Sequence, residues 1–202
     1  MVRSPAVRRV ALLCAAVAAL IATGCGQARQ DADEPEGEFT LQVVKASFPA
    51  KQSIAQPVRL RLTVRNTDDR DLPNLAVTVE TEPTTKGKAP TAFGDAGTDT
   101  RLADANSPVW IVDRDPEGGQ TASTNTWAVG RMFPGETKEL EWRLTAVRPG
   151  TYTVNYRISP GLNGKAVPAN GQKTTGSFRV TISDEPVPAR VNAKGEVVRG
   201  ER

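Results

Sequence analysis

From Gly135 to Ser159 the chain reads GETKELEWRLTAVRPGTYTVNYRIS, with apolar and polar residues in strict alternation over two stretches. Leu140, Trp142, Leu144 and Ala146 take every second place before Arg148-Pro149-Gly150, and Tyr152, Val154, Tyr156 and Ile158 do so after it. A period of two on both sides of a Pro-Gly turn predicts two β-strands, each with one face toward a core and one toward water. Pro57 to Asn66 (PVRLRLTVRN) has the same rhythm: Val58, Leu60, Leu62 and Val64 face one way, and Arg59, Arg61, Thr63 and Arg65 the other. Asn66-Thr67-Asp68-Asp69 is turn chemistry, and Leu75, Val77 and Val79 then alternate with Ala76, Thr78 and Glu80.

Weaker patterns complete the set. Phe39 to Phe48 predicts a first strand, Pro108 to Asp113 and Thr126 to Val129 two short ones, and Phe178, Val180 and Ile182 the last. Between them Pro83 to Ser107, Arg114 to Thr124 and Leu162 to Gly176 are polar and read as loops; the first is long enough to be a functional insertion or a disordered excursion. No stretch after residue 25 has helical periodicity. The expected fold is an all-β antiparallel sandwich of about seven to eight strands with long loop insertions, over residues 39–183. Pro186 and Pro188 stop the last strand, and 184–202 is expected to be a disordered tail.

The amino terminus has a different pattern. Arg3, Arg8 and Arg9 precede an apolar run from Val10 to Ala22, short for a membrane span but of signal-peptide length. Thr23-Gly24-Cys25 follows, and small residues directly before a cysteine resemble the bacterial lipoprotein lipobox. Where that pattern has a Leu-like residue three places before the cysteine, this chain has Ala22. The resemblance implies cleavage after Gly24, a diacylglyceryl thioether on Cys25, and attachment outside the cytoplasmic membrane through two or three acyl chains. Residues 1–24 are then the signal peptide, and 25–38, acidic and without large apolar residues, a flexible tether.

Composition narrows the chemistry. Of 26 basic residues three lie in the signal segment, and 26 − 3 = 23 equals the 23 acidic residues, so nucleic acid is not an expected partner. There is no histidine, and Cys14 lies in the signal segment, so the exported domain has neither disulfide nor free thiol. That excludes a histidine triad and a blue-copper site, and leaves zinc without a soft ligand. No enzyme, cofactor or metal is expected. Asp95, Asp99, Asp104, Asp113 and Asp115 offer oxygen ligands of the kind calcium takes, but acids beside Gly and Thr are ordinary turn composition, and glycosidase chemistry at Asp113, Asp115 and Glu117 is the weakest reading.

Two segments resemble immunoglobulin-like modules. PVRLRLTVRNTDDRDLPNLAVTV is similar to the second and third strands of bacterial domains of the CARDB and DUF11 kind, and RPGTYTVNYRI to the sixth strand of immunoglobulin-like and fibronectin-type modules. The resemblance implies a tyrosine corner at Tyr152 and strands in opposite sheets on either side of Pro149-Gly150, so that the turn is a corner and not a hairpin. With no cysteine pair, Trp142 is not the tryptophan that packs on a disulfide. The functional expectation is a lipid-anchored envelope protein that binds a protein or envelope component through loop residues 83–130. Phe93, Trp110, Trp127, Met132 and Phe133 would form its surface if they project outward. The alternative is a solute carrier with a pocket lined by Trp110 or Trp127. Arg59, Arg61 and Arg65 share a strand face, read as a solvated exterior with contact to anionic polymer or lipid headgroups as the sharper option.

Overall fold

The computed structural model describes residues 34–82, 90–95, 108–191, 193–195 and 197–199. The signal segment, Cys25, the tether as far as residue 33, Asp99 and Asp104 lie outside the described residues. The strands are β1 (Gly37–Phe39), β2 (Leu41–Ser47), β3 (Lys51–Ser53), β4 (Pro57–Asn66), β5 (Ala76–Thr81), β6 (Phe93–Asp95), β7 (Trp110–Arg114), β8 (Gln120–Ser123), β9 (Thr126–Ala128), β10 (Thr137–Ala146), β11 (Gly150–Ser159), β12 (Ala166–Pro168), β13 (Thr175–Ser183), β14 (Ala189–Val191) and β15 (Val197–Arg199).

Two sheets dominate, in the order β2-β4-β10-β7-β6 and β3-β13-β11-β5-β9-β8. This is the immunoglobulin-like arrangement: first, second, fifth and fourth principal strands in one sheet, third, sixth and seventh in the other. It follows from the alternation. In β4, positions 58, 60, 62, 64 and 66 are buried and the intervening ones are exposed or half-exposed. β10 repeats this with Leu140, Trp142, Leu144 and Ala146 inward. The antiparallel register Leu140↔Leu62, Trp142↔Leu60 and Leu144↔Val58 sets two apolar rows side by side. β11 brings Tyr152, Val154, Tyr156 and Ile158 down from the facing sheet. Burying each such side chain contributes about 1.5–3 kcal/mol, and the large buried apolar residues of both sheets form one cluster.

The chain passes between sheets where the sequence breaks its rhythm. At Pro49 it leaves β2, which pairs antiparallel with β4, and enters β3, which pairs parallel with β13. β10 and β11 lie in different sheets, so Pro149-Gly150 is a corner, with Tyr152 Oη donating to the Pro149 carbonyl oxygen at 2.9 Å. Gly150 sits at φ 141°, and a Cβ there would stand 3.0 Å from the Tyr152 hydroxyl. Burial pushes the Tyr152 hydroxyl above its ordinary pKa, consistent with a donor held in a largely apolar corner.

Several boundaries differ from the sequence reading. The folded unit starts at Glu34 and not at residue 39. Glu34 is buried, and its carboxylate accepts the backbone N–H groups of Leu162 (2.6 Å), Asn163 (3.2 Å) and Ala166 (3.1 Å), while β1 pairs parallel with β12 inside the supposed 162–176 loop. β6 and β8 are likewise strands within segments read as loops, and the tail contains the β14–β15 hairpin. Each is three or four residues long, too short for a periodic signal.

Candidate functional site

The expected outward aromatic surface needs correction. Phe93, Trp110, Trp127 and Met132 are 0–5% exposed and belong to the core; of the five residues only Phe133, at 59%, faces solvent. They are drawn inward because large apolar side chains fill the space between the two sheets. Phe48, Trp110 and Tyr152 meet in tilted and edge-on contacts with ring centroids 5.3 and 5.9 Å apart, and Phe93, Trp127 and Trp142 continue the row edge-on at 5.5 and 5.4 Å. The Trp110 indole N–H donates to Gln52 Oε1 at 2.7 Å, and the Trp127 N–H to Asp115 Oδ1 at 2.7 Å. Trp110 is on β7 and Gln52 on β3, so the first of these bonds joins the two sheets across the core.

Of the acids that could serve calcium or hydrolysis, Asp113 and Asp115 make internal hydrogen bonds and Glu117 is exposed. Asp113 accepts from Thr145 Oγ1 at 2.7 Å, and Asp115 holds Trp127. Among the described residues no group of three carboxylate, thiol or imidazole side chains could hold a metal ion. Asn125, with φ 57°, takes the Phe93 N–H on its side-chain oxygen at 3.2 Å. A half-open groove of about 440 Å³ lies beside these residues.

The most concentrated chemistry is on the outer face of the five-stranded sheet. Alternation that buries Leu60 and Leu62 turns Arg59 and Arg61 outward on β4, and the same rule turns Glu141 and Arg143 outward on β10. The register places Arg61 opposite Glu141 but Arg59 opposite Arg143, a like-charge pair that is unfavourable by itself. Glu141 resolves it by meeting all three guanidinium groups through their Nε atoms: Arg61 at 2.7 Å, Arg143 at 3.2 Å and Arg59 at 3.3 Å. The Arg61 hydrogen bond, then that of Arg143 and the charges of Arg59 and Arg61, hold the Glu141 carboxyl below its ordinary pKa against the opposing effect of burial. The arginine side chains remain 53% (Arg59), 38% (Arg61) and 48% (Arg143) exposed. They border an open hollow of about 710 Å³ that runs to Phe48, Pro49 and Asp113. One carboxylate thus holds three cations beside open space. Arg65, also expected on this face, is exposed further along β4. The shared outward side of Arg59 and Arg61 is legible from the sequence; the part played by Glu141 and Arg143 requires the β4–β10 register.

No family model matches the sequence, and no curated protein does. Among solved structures, the chain is similar to the CARDB domain of a Pyrococcus furiosus protein described in complex with di-metal ions, at 17% identity over 74% of this chain and 98% of that chain, with a TM-score of 0.45. It is also similar to native alpha-2-macroglobulin from Escherichia coli, over the part from domain MG7 to the C-terminus, at 16% identity, 75% of this chain and 18% of that chain, with a TM-score of 0.42. The immunoglobulin-like β-sandwich is defined here by the chain's own strand order and register.

Proposed function

We infer that the chain is a non-enzymatic, lipid-anchored protein of the cell envelope, displayed outside the cytoplasmic membrane, whose immunoglobulin-like domain binds a protein or envelope component. The observation that carries this reading is a juxtaposition. A basic, apolar and small-residue run ends at Cys25, and the folded unit begins at Glu34, nine residues on (34 − 25 = 9). A self-contained sandwich on a short leash from a lipidated residue is the arrangement of a displayed module. The absence of histidine from the sequence excludes a histidine-based triad.

A solute carrier fits less well. Its pocket would need polar groups free to converge on a ligand. In the groove beside Trp127, Asp115 is bonded to the indole and Asn125 to the Phe93 backbone, so both work for the fold. The anchoring claim is tested by metabolic labelling with palmitate. The wild-type chain takes up label and a Cys25→Ala variant takes up none; label absent from the wild type, or retained in the variant, contradicts it.

A further inference from the structure

We propose that the outer face of the five-stranded sheet is a second membrane-attachment surface, on which Arg59, Arg61 and Arg143 take the phosphate groups of anionic phospholipids. The identity of the surface as lipid rests on the anchored reading above; the chemistry of the site rests on its geometry.

Three guanidinium groups share the single carboxylate of Glu141, and with Asp113 also lining the hollow the local excess is one positive charge (3 − 2 = 1). Arg61 and Arg143 each donate to Glu141 from Nε, and among the described residues no hydrogen bond engages their Nη atoms. A guanidinium fork fits a phosphate oxygen pair, and it is more weakly hydrated than an ammonium group. The three forks lie beside one open hollow. The outer face of the six-stranded sheet differs. There Arg157 stands opposite Thr78 and Thr175, and Arg179 opposite Thr153, each separated from the next cation by neutral side chains.

The leash makes lipid the fitting source of phosphate. Residues 25–33 number nine and span at most ~32 Å, so a lipid on Cys25 keeps the domain near the bilayer surface, where phospholipid phosphate is concentrated. Each arginine at an anionic surface strengthens attachment about fivefold.

The test is co-sedimentation of the chain from residue 25 onward, carrying Cys25→Ser so that no acyl chain can be attached. The described core lies within residues 39–182, so this chain folds without its lipid. The vesicles are phosphatidylcholine alone and phosphatidylcholine with phosphatidylglycerol. Binding is expected to the second only, and to weaken as sodium chloride is added. Combined Arg59→Gln, Arg61→Gln and Arg143→Gln lowers affinity about 100-fold. Glu141→Gln, which removes the neutralising charge, raises it. Arg157→Gln with Arg179→Gln on the other face leaves it unchanged. Thermal unfolding confirms that each variant is folded, and the single Glu141→Gln decides the matter if the triple variant is not. Wild-type protein that ignores phosphatidylglycerol, a triple variant that binds as well as wild type, or a Glu141→Gln variant that binds more weakly overturns the proposal. Retention by soluble polyphosphate without binding to vesicles overturns the assignment to lipid. Because the protein assayed carries no acyl chain, its failure to bind is separate from a failure of palmitate labelling.

Discussion

The two sheets share one interior but have unlike exteriors. On the five-stranded sheet, three arginines converge on Glu141 beside an open hollow. On the six-stranded sheet, hydroxyl and amide side chains pair across strands: Thr78 with Thr126 at 3.0 Å, Thr151 with Thr181 at 3.2 Å, and Asn155 with Glu82 at 2.7 Å. The inward rows obey the same demand in both sheets, because each must fill space against the other. The outward rows answer to no packing constraint and are free to differ. The difference therefore locates chemistry that the fold does not itself require, and it lies on the arginine face.

The largest expected effect breaks the comparison by removing what both sheets share. Trp110→Ala should cost about 3–5 kcal/mol in denaturant unfolding, with both sheets lost in one transition. Two milder substitutions sharpen it. Trp110→Phe leaves Gln52 Oε1 buried without its donor, at a cost of about 1–3 kcal/mol beyond the lost ring area. Trp142→Phe forfeits no hydrogen bond among the described residues, where the buried Trp142 indole N–H has no partner, so the same measurement should show a smaller loss. Equal losses would show that the bond between the sheets contributes nothing.

Tyr152→Phe, at the corner where the chain changes sheets, should lower stability by about 1–2 kcal/mol without changing the strand content seen by far-ultraviolet dichroism. An acid titration tests the arginine face against the turn after β4 through their carboxylates. Arg70 beside Asp68, helped by backbone N–H groups of Thr40 and Arg70, holds that carboxyl well below the usual carboxylate range, and the three arginines lower that of Glu141. Depressed folded-state values mean that the stabilisation is present above the unfolded pKa of about 4 and is lost as pH falls below it toward the folded values. Asp68→Asn should flatten that acid limb more than Glu141→Gln does, since the Asp68 side chain is 7% exposed and that of Glu141 27%. The smallest effect is the stability change of Glu141→Gln at neutral pH. Its partners are half-exposed, and about 0–1 kcal/mol is expected.

How much could be read from the sequence follows from length and repetition. β4, β10 and β11 are ten residues each, and their inward and outward sets were readable because alternation persists over several periods. β3, β6 and β12 are defined by pairing with strands further along or back in the chain and β8 by its hairpin with β9, and three or four residues carry no period of their own. Trp127 and Phe93 were open to an outward reading because they lie in polar surroundings in the sequence; their burial depends on Trp142 and Trp110, which reach them only in the folded state. Glu34 was hidden for a similar reason. A glutamate in an acidic stretch gives no sign that three backbone N–H groups more than a hundred residues away will hold it. Of the candidate site, Arg59 and Arg61 were visible as a stripe, whereas the convergence on Glu141 required the register between two strands eighty residues apart.

That register, and the corner that sends the next strand to the opposite sheet, is what the whole account depends on. Amide-to-amide and Hα-to-Hα nuclear Overhauser contacts in the labelled domain test it directly. The account predicts contacts linking β10 to β4, with Leu140 opposite Leu62, and β11 to β5 and β13, with Tyr156 opposite Val79. It predicts none between β10 and β11 across Pro149-Gly150. A ladder of contacts joining β10 to β11 as a hairpin would contradict it, moving Arg143 and Glu141 away from Arg59 and Arg61 and removing the basis for the arginine face.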